Sequence, residues 1–331
     1  NESEEDAAIV ILAEDDKEKM DNTIRDNITN FATTRVITRS GVVTNINNLK
    51  KVMAKDAKSI IIMNSAASWK TEHEKNLADA LVLKSIMSII AVCDGNEHPS
   101  IVCEIHSDRD RDLAENISTG TVKALNEVSV LSRMIAQLSL SRNGLSVVYS
   151  DMVGFDGNEF YFFQPEKGWG GPLTFSDSIN RFKSSTPMGI HFSNGDIKLN
   201  PPGDTKITDE DDLIVFAEDD STIFYSNEPI YEPKIKKLPE VDSKLRKQRI
   251  AILNWTTKSG IIMEKICTYV PSGSEIILYD IKINKEMKKF LDNLRDKYSD
   301  LKLEIHEIDL NDLATLKTIT PQNFDSILIL S

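Results

Sequence analysis

Short apolar runs recur along the chain, and polar segments with helical spacing lie between them. "AIVILAE" (8–14), "TRVITR" (34–39), "KSIIIMN" (58–64) and "SIVCEIH" (100–106) are β-branched and apolar, the texture of buried parallel strands. Between the last two, Thr71 and Glu74 have the spacing of a capping box and open a long helical pattern, "KNLADALVLKSIMSIIAVC". Strand and helix in alternation predict a parallel, doubly wound α/β sheet with right-handed crossovers. From about residue 145 the pattern changes. Gly, Pro, Asn and Asp surround short alternating runs such as "NEFYFFQPEKGWGG" and "GDTKITDEDDLIVFAEDD", which predicts a small, mostly antiparallel α+β subdomain. The Pro- and Lys-rich stretch around residues 231–247 reads as a linker.

After the linker the first pattern returns. An offset of 267 lays Leu316 on Leu49, Lys317 on Lys50, Ile319 on Val52 and Ile327 on Ile60. Two tandem copies of one unit are the simplest reading. The second copy carries an additional opening unit, "RIAILNWTTKSGIIMEKICTYV", a strand, turn and helix of the kind that begins a Rossmann half. Its strand would be central in the sheet. The repeat therefore predicts that the first copy obtains its central strand from chain preceding Asn1, and that its sheet shows a gap between "AIVILAE" and "KSIIIMN".

Composition narrows the function. Forty per cent hydrophobic residues describe a soluble globular protein, and a formal net charge of -13 over 331 residues argues against a broad nucleic-acid surface. Three scattered cysteines point to a reducing, cytosolic setting rather than a disulfide framework. The longest apolar stretch (80–93) is interrupted by Lys84, and the first six residues carry four acids, so neither a membrane span nor a signal peptide is expected. GxSxG, HExxH and P-loop motifs are missing, and His73, His191 and His306 lack a neighbouring nucleophile. Cys93, His98, Cys103 and His106 suggest zinc by proximity, but strand alternation separates Cys103 from His106, and Cys103 reads as a core residue. A dinucleotide needs glycines after the first strand. In the second copy those positions hold Asn254, Thr256 and Ser259, which disfavours NAD there and leaves Asp280 as a helix cap or a solvated strand end.

The acids carry more information. Asp15, Asp16 and Glu18 follow one strand, Asp108, Asp110 and Asp112 another, and Glu218, Asp219 and Asp220 a third. Carboxyl ends of parallel strands face the ligand crevice, so the first two clusters are expected near one another, as candidate Ca2+ ligands. The alternative is that they are solvated helix caps.

The run "VLSRMIAQLSLSRNGLSVVYSDMVGFDGNEFYF", with "AEDDKEKMD", "GDTKITDEDDLIVFAEDDST", "RIAILNWTTKSG" and "FDSILIL", resembles ion channels of the CASTOR and POLLUX type along essentially the whole chain. The resemblance implies tandem RCK domains, regulators of K+ conductance, on the cytoplasmic side of a cation-channel pore and assembled as a ring from four subunits. On that reading residues 1–143 are the first Rossmann-like domain lacking its first strand, 144–230 its C-terminal subdomain, 231–247 the linker and 248–331 the start of the second domain. The implied function is to couple binding of Ca2+ or another ligand to opening of a pore encoded upstream, in a prokaryotic relative of the plant proteins. Residues 128–141, apolar at Val130, Leu131, Met134, Ile135 and Leu138, are the candidate helix crossing to a neighbouring RCK domain, or else a core helix of their own. The alternatives are a soluble TrkA-like subunit of a K+ transporter and, from another class, an NAD-dependent oxidoreductase.

Overall fold

The computed structural model describes residues 7–67, 69–93, 99–118, 120–141, 145–154, 157–231 and 246–330. The described chain divides into two compact units, one holding most of the first 136 residues and the other most of the residues from 137 on. Nearly all of the expected linker lies outside the described residues.

In the first unit β1 (Ala8–Ala13), α1 (Lys17–Asn27), β2 (Arg35–Ser40), α2 (Ile46–Lys51), β3 (Ser59–Ile62), α3 (Glu72–Val92), β4 (Ser100–Glu104), α4 (Asp108–Ile117), β5 (Val122–Leu125) and α5 (Glu127–Leu140) follow one another. All pairings are parallel: β1 with β2, β3 with β4, and β4 with β5. The helices begin where side chains satisfy their free amides. Thr71 and Glu74 form the capping box of α3, Asp16 caps α1 and Ser107 caps α4. Alternation along β4 puts Ile101, Cys103 and Ile105 inside, where they meet Val82, Ile86 and Ile89 of α3 and Val122 of β5. Each such aliphatic side chain contributes roughly 1.5–3 kcal/mol by leaving water. Burial pushes the Cys103 thiol up to about 11, helped by the nearby charges of Glu115 and Asp79, so it behaves as a small apolar residue.

Next come α6 (Leu145–Val153), β6 (Glu159–Phe163), β7 (Leu173–Thr174), α7 (Phe175–Ser178), β8 (Thr186–His191), β9 (Ile197–Leu199), β10 (Lys206–Ile207) and β11 (Asp212–Ala217). The larger sheet is antiparallel in the order β6-β11-β8-β9. Its core is aromatic: Trp169 is fully buried with Phe163, Phe182 and Tyr225 around it, and its indole N–H donates to the Thr208 carbonyl at 3.0 Å. Gly189 is required where β8 and β9 close up, because a Cβ there would lie 2.6 Å from the Lys198 carbonyl oxygen.

The last group is β12 (Arg249–Leu253), α8 (Ser259–Tyr269), β13 (Glu275–Asp280), α9 (Lys285–Lys297), β14 (Lys302–Glu307), α10 (Leu313–Thr318) and β15 (Ser326–Ile329), forming one parallel sheet in the order β14-β13-β12-β15. The repeat is present in three dimensions. β13, β14 and β15 begin 267 residues after β1, β2 and β3 (275 − 8, 302 − 35, 326 − 59), and α10 begins 267 after α2. The offset extends to the register, with Ala8 opposite Arg35 and Glu275 opposite Lys302, and to a left-handed residue, Met53 at φ 54° and Thr320 at φ 53°. The copies differ at the centre. β12 pairs with β13 on one side and β15 on the other, whereas among the described residues no strand lies between β1 and β3. Ile9 and Ile61 on these open strands are 53% and 71% exposed.

Two outcomes are expected. If a strand of the β12 kind enters between β1 and β3 in a longer protein, the amides of Ala8–Ala13 and Ser59–Ile62 should exchange with deuterium more slowly there than in the 331-residue chain; equal rates would rule the insertion out. At Met53, whose side chain is exposed, Met53→Gly should be neutral or stabilising in denaturant unfolding, and Met53→Val should cost roughly 1–2 kcal/mol, because a β-branched side chain fits the left-handed region poorly.

Candidate functional site

The carboxyl ends of β3, β4 and β5 are tied together by a buried acid that the sequence reading passed over. Asp79 sits mid-helix in α3 with no exposure to solvent. Its Oδ1 accepts from the His106 amide at 3.0 Å and from the Asn64 side-chain amide at 2.8 Å, and its Oδ2 accepts from the Ser107 amide at 2.9 Å. Three donors to one buried carboxylate offset much of its desolvation. From this centre the network spreads along the strand ends. The His106 ring Nε2 lies 2.7 Å from the Ala66 carbonyl oxygen, and the Asn126 side chain donates to the His106 carbonyl at 2.6 Å. Asn126 in turn accepts from the Ser129 amide at 2.9 Å, at the start of α5. The available signal was the charge itself, in "NLADALVL", an acid interrupting the apolar stripe of a long helix.

Of the six acids expected to bind Ca2+, Asp15, Asp16, Asp108 and Asp112 have other partners for their carboxylates. Asp16 caps α1, accepting from the Glu18 amide at 2.9 Å, and Asp15 pairs with Lys19 at 2.8 Å. Glu18 lies in the first turn of α1 and Asp110 in the first turn of α4, where its amide donates to Ser107. Asp108 and Asp112 both hold Arg111, at 2.9 and 3.1 Å. Among the described residues no three acids, histidines or cysteines are grouped so as to hold a metal ion. In the third cluster Asp219 caps a short turn, accepting from the Ser221 amide at 2.9 Å.

The turn after β12 is closed by its own side chains. Asn254 is left-handed at φ 76° and donates to the Leu330 carbonyl at 3.0 Å, while the Thr256 amide donates to Ser259 Oγ at 2.7 Å. The hydroxyl groups thus occupy positions where a glycine turn would present amides to a phosphate. Asp280 corrects the sequence expectation. It is buried and accepts from the Lys282 amide at 2.9 Å, while α9 is capped by Asn284. The reason is local: β13 turns sharply before α9, and the acid's side chain closes that turn. Cys93 and Cys103 are buried, and His98 lies outside the described residues. His191 pairs with Asp212 at 3.1 Å and packs on Phe162, and His306 pairs with Glu304 at 3.0 Å and stacks on Tyr279.

On α5 the small residues Ser129, Ser132 and Ala136 are the buried ones, while Val130 and Leu131 are exposed. In α6, Val147, Val148 and Val153 are exposed as well. Each of the two helices thus leaves apolar side chains exposed. No helix among the described residues is long and apolar enough to cross a membrane.

Residues 128–232 match the family model described as Castor and Pollux, part of voltage-gated ion channel. The probable ion channel POLLUX of Oryza sativa subsp. japonica is 27% identical over 98% of this chain and 33% of its own length. The ion channel CASTOR of Lotus japonicus is 28% identical over 100% of this chain and 38% of its own. The chain therefore spans about a third of the length of the curated relatives it matches. In fold it is similar to the human SLO3 gating ring, with a TM-score of 0.50, 13% identity, and coverage of 93% of this chain and 60% of that one. Over nearly its whole length the chain is similar to the Castor and Pollux ion channels, and its α/β fold is similar to that of a channel gating ring.

Proposed function

We propose that the chain is the ligand-sensing gating module of a cation channel, working as part of a ring of tandem RCK domains, four subunits to the ring, on the cytoplasmic side of a pore supplied by the rest of the protein. The observation that carries this reading is similarity to named ion channels along nearly the whole chain. The fold shared with a gating ring supports it, as do the apolar side chains that α5 and α6 turn outward. The proposed role is non-enzymatic. A TrkA-like regulatory subunit would use the same fold, and pore helices elsewhere in the same polypeptide would separate the two.

The strand-end network suggests how such a module would transmit a signal. A ligand at the carboxyl ends of the strands meets the loops held by Asp79, and the chain of contacts through His106 and Asn126 ends at the first turn of α5. A ligand that binds one arrangement of these loops better than another shifts the population toward it by that difference in affinity. Calcium is the ligand the acids Asp15, Asp16, Glu18, Asp108, Asp110 and Asp112 propose, and it would require Asp15 to leave Lys19 and Asp108 and Asp112 to leave Arg111. The Thr256–Ser259 turn supports a reading in which NAD does not bind at the second copy.

Three measurements test this. Millimolar Ca2+ should raise the melting temperature of the full-length protein more than Mg2+ does, and Asp16→Asn or Asp110→Asn should reduce the shift; a gain of about 2.7 kcal/mol is expected at a hundredfold the dissociation constant. Equal shifts with both ions would mean general screening, and a shift with NAD alone would move the ligand elsewhere. Light scattering of the soluble region should show an oligomer, and a monomer at high micromolar concentration would remove the ring. Asp79→Ala should destabilise the fold by roughly 2–4 kcal/mol in denaturant unfolding, because buried donors lose their acceptor; a loss under half a kcal/mol would remove the network from the mechanism.

A further inference from the structure

The two copies of the repeat have one backbone plan but fill it differently between the first helix and the strand that follows. In the second copy this interface is packed with leucines: Leu291 of α9, Leu301 at the end of the intervening loop and Leu303 of β14 are all buried. Their counterparts 267 positions earlier are Ile24, Thr34 and Val36, smaller or polar, and none of the three is buried. A cleft of about 310 Å³ lies there, formed entirely by α1, β2 and the loop between them.

The cleft is cationic in a chain whose net charge is -13. Lys17, Arg25 and Arg39 line it together with a single acid, Asp21. That acid is already engaged, since it accepts from the Thr38 hydroxyl and pairs with Lys17 at 2.9 Å. The hydrogen bond from Thr38, followed by that from Lys17, holds its carboxyl below the usual range. Two guanidinium groups remain. Arg39 donates from Nη1 to the Thr38 carbonyl at 2.8 Å, and Arg25 is close enough for its charge to act on Asp21. At the same positions the second copy carries Asp292 and His306, so neither charge belongs to the shared fold. Ile24, Phe31 and Val36 add apolar surface to the lining of the cleft.

The geometry points to a binding site for a small organic anion in the α1–β2 cleft, its phosphate or carboxylate held by Arg25 and Arg39 and its apolar body resting on Ile24, Phe31 and Val36. Guanidinium groups suit this task because their planar donors match both oxyanions in paired hydrogen bonds. A cavity of this volume is at the small end of the range for ligand pockets, which limits the occupant to about one ring or a short chain with its charged group. The site does not depend on the gating reading, and neither the residues of the strand-end network nor the acids considered for Ca2+ line it.

Calorimetry on the purified full-length protein tests it, using phenyl phosphate and benzoate as probes and benzyl alcohol as the neutral control. At least one anion should bind with a dissociation constant on the order of 0.1–1 mM, and the neutral control should not bind at that level. The stronger of the two anions identifies the oxyanion preferred. Arg25→Gln combined with Arg39→Gln should weaken binding about tenfold or more, the loss typical of charge-assisted hydrogen bonds. Both side chains are exposed, so this variant should keep its melting temperature. Thr34→Leu, which installs the residue of the second copy, should abolish binding by filling the cleft. Absence of heat with both anions, equal binding of benzyl alcohol, or affinities unchanged in the variants would overturn the site.

Discussion

A strand inside a parallel sheet has to pair along both edges, because a buried backbone N–H or C=O without a partner costs about as much as a lost hydrogen bond. In the second sheet β12 meets this requirement from the centre, with β13 on one side and β15 on the other. Strand order, the placement of the crossover helices and the position of the strand ends all follow from that central pairing. In the first unit β1–β2 and β3–β4–β5 are each correctly paired, and Leu12, Ile60 and Ile62 pack against one core, yet the described residues leave the central place between β1 and β3 unfilled. Ile9 and Val10 of β1 and Ile61 of β3 are exposed.

The strand ends are where the fold accepts cost. Asp79 lies in the apolar heart of α3 and would be strongly destabilising without donors, so its three hydrogen bonds are a condition of the local structure and not an ornament to it. By holding the His106 and Ser107 amides it fixes the exit of β4 and the start of α4, and through Asn126 it fixes the entry to α5. Loops at strand ends are ordinarily the mobile part of an α/β domain. Here they share one buried anchor, which makes them suited to moving together.

The repeat separates what a backbone requires from what side chains add. Register, the start of the second helix (α2 and α10) and even the left-handed residue at 53 and 320 recur in both copies, and these are features of the shared backbone path. The filling of the helix–strand interface does not recur. Leucines close it in the second copy, while threonine, arginine and lysine leave it open and charged in the first.

Much of the architecture was legible in the chain itself, because hydrophobic period and capping chemistry act over a few residues. The parallel strands, the capping box at Thr71, the antiparallel insertion and the 267-residue repeat are all written at that range. So was the core role of Cys103, from the alternation of β4. The fates of individual charges were not legible, because they depend on partners distant in sequence. Asp79 is satisfied by residues 15 and 27–28 positions away, and Asp280 closes a turn where a solvated end or a helix cap was expected. The acids after β1 and β4 are alike in sequence and read equally well as metal ligands or caps. Only the folded chain showed Asp16 capping α1, Asp15 on Lys19, and Asp108 and Asp112 on Arg111, since a carboxylate takes whichever donor the tertiary structure brings within about 3 Å.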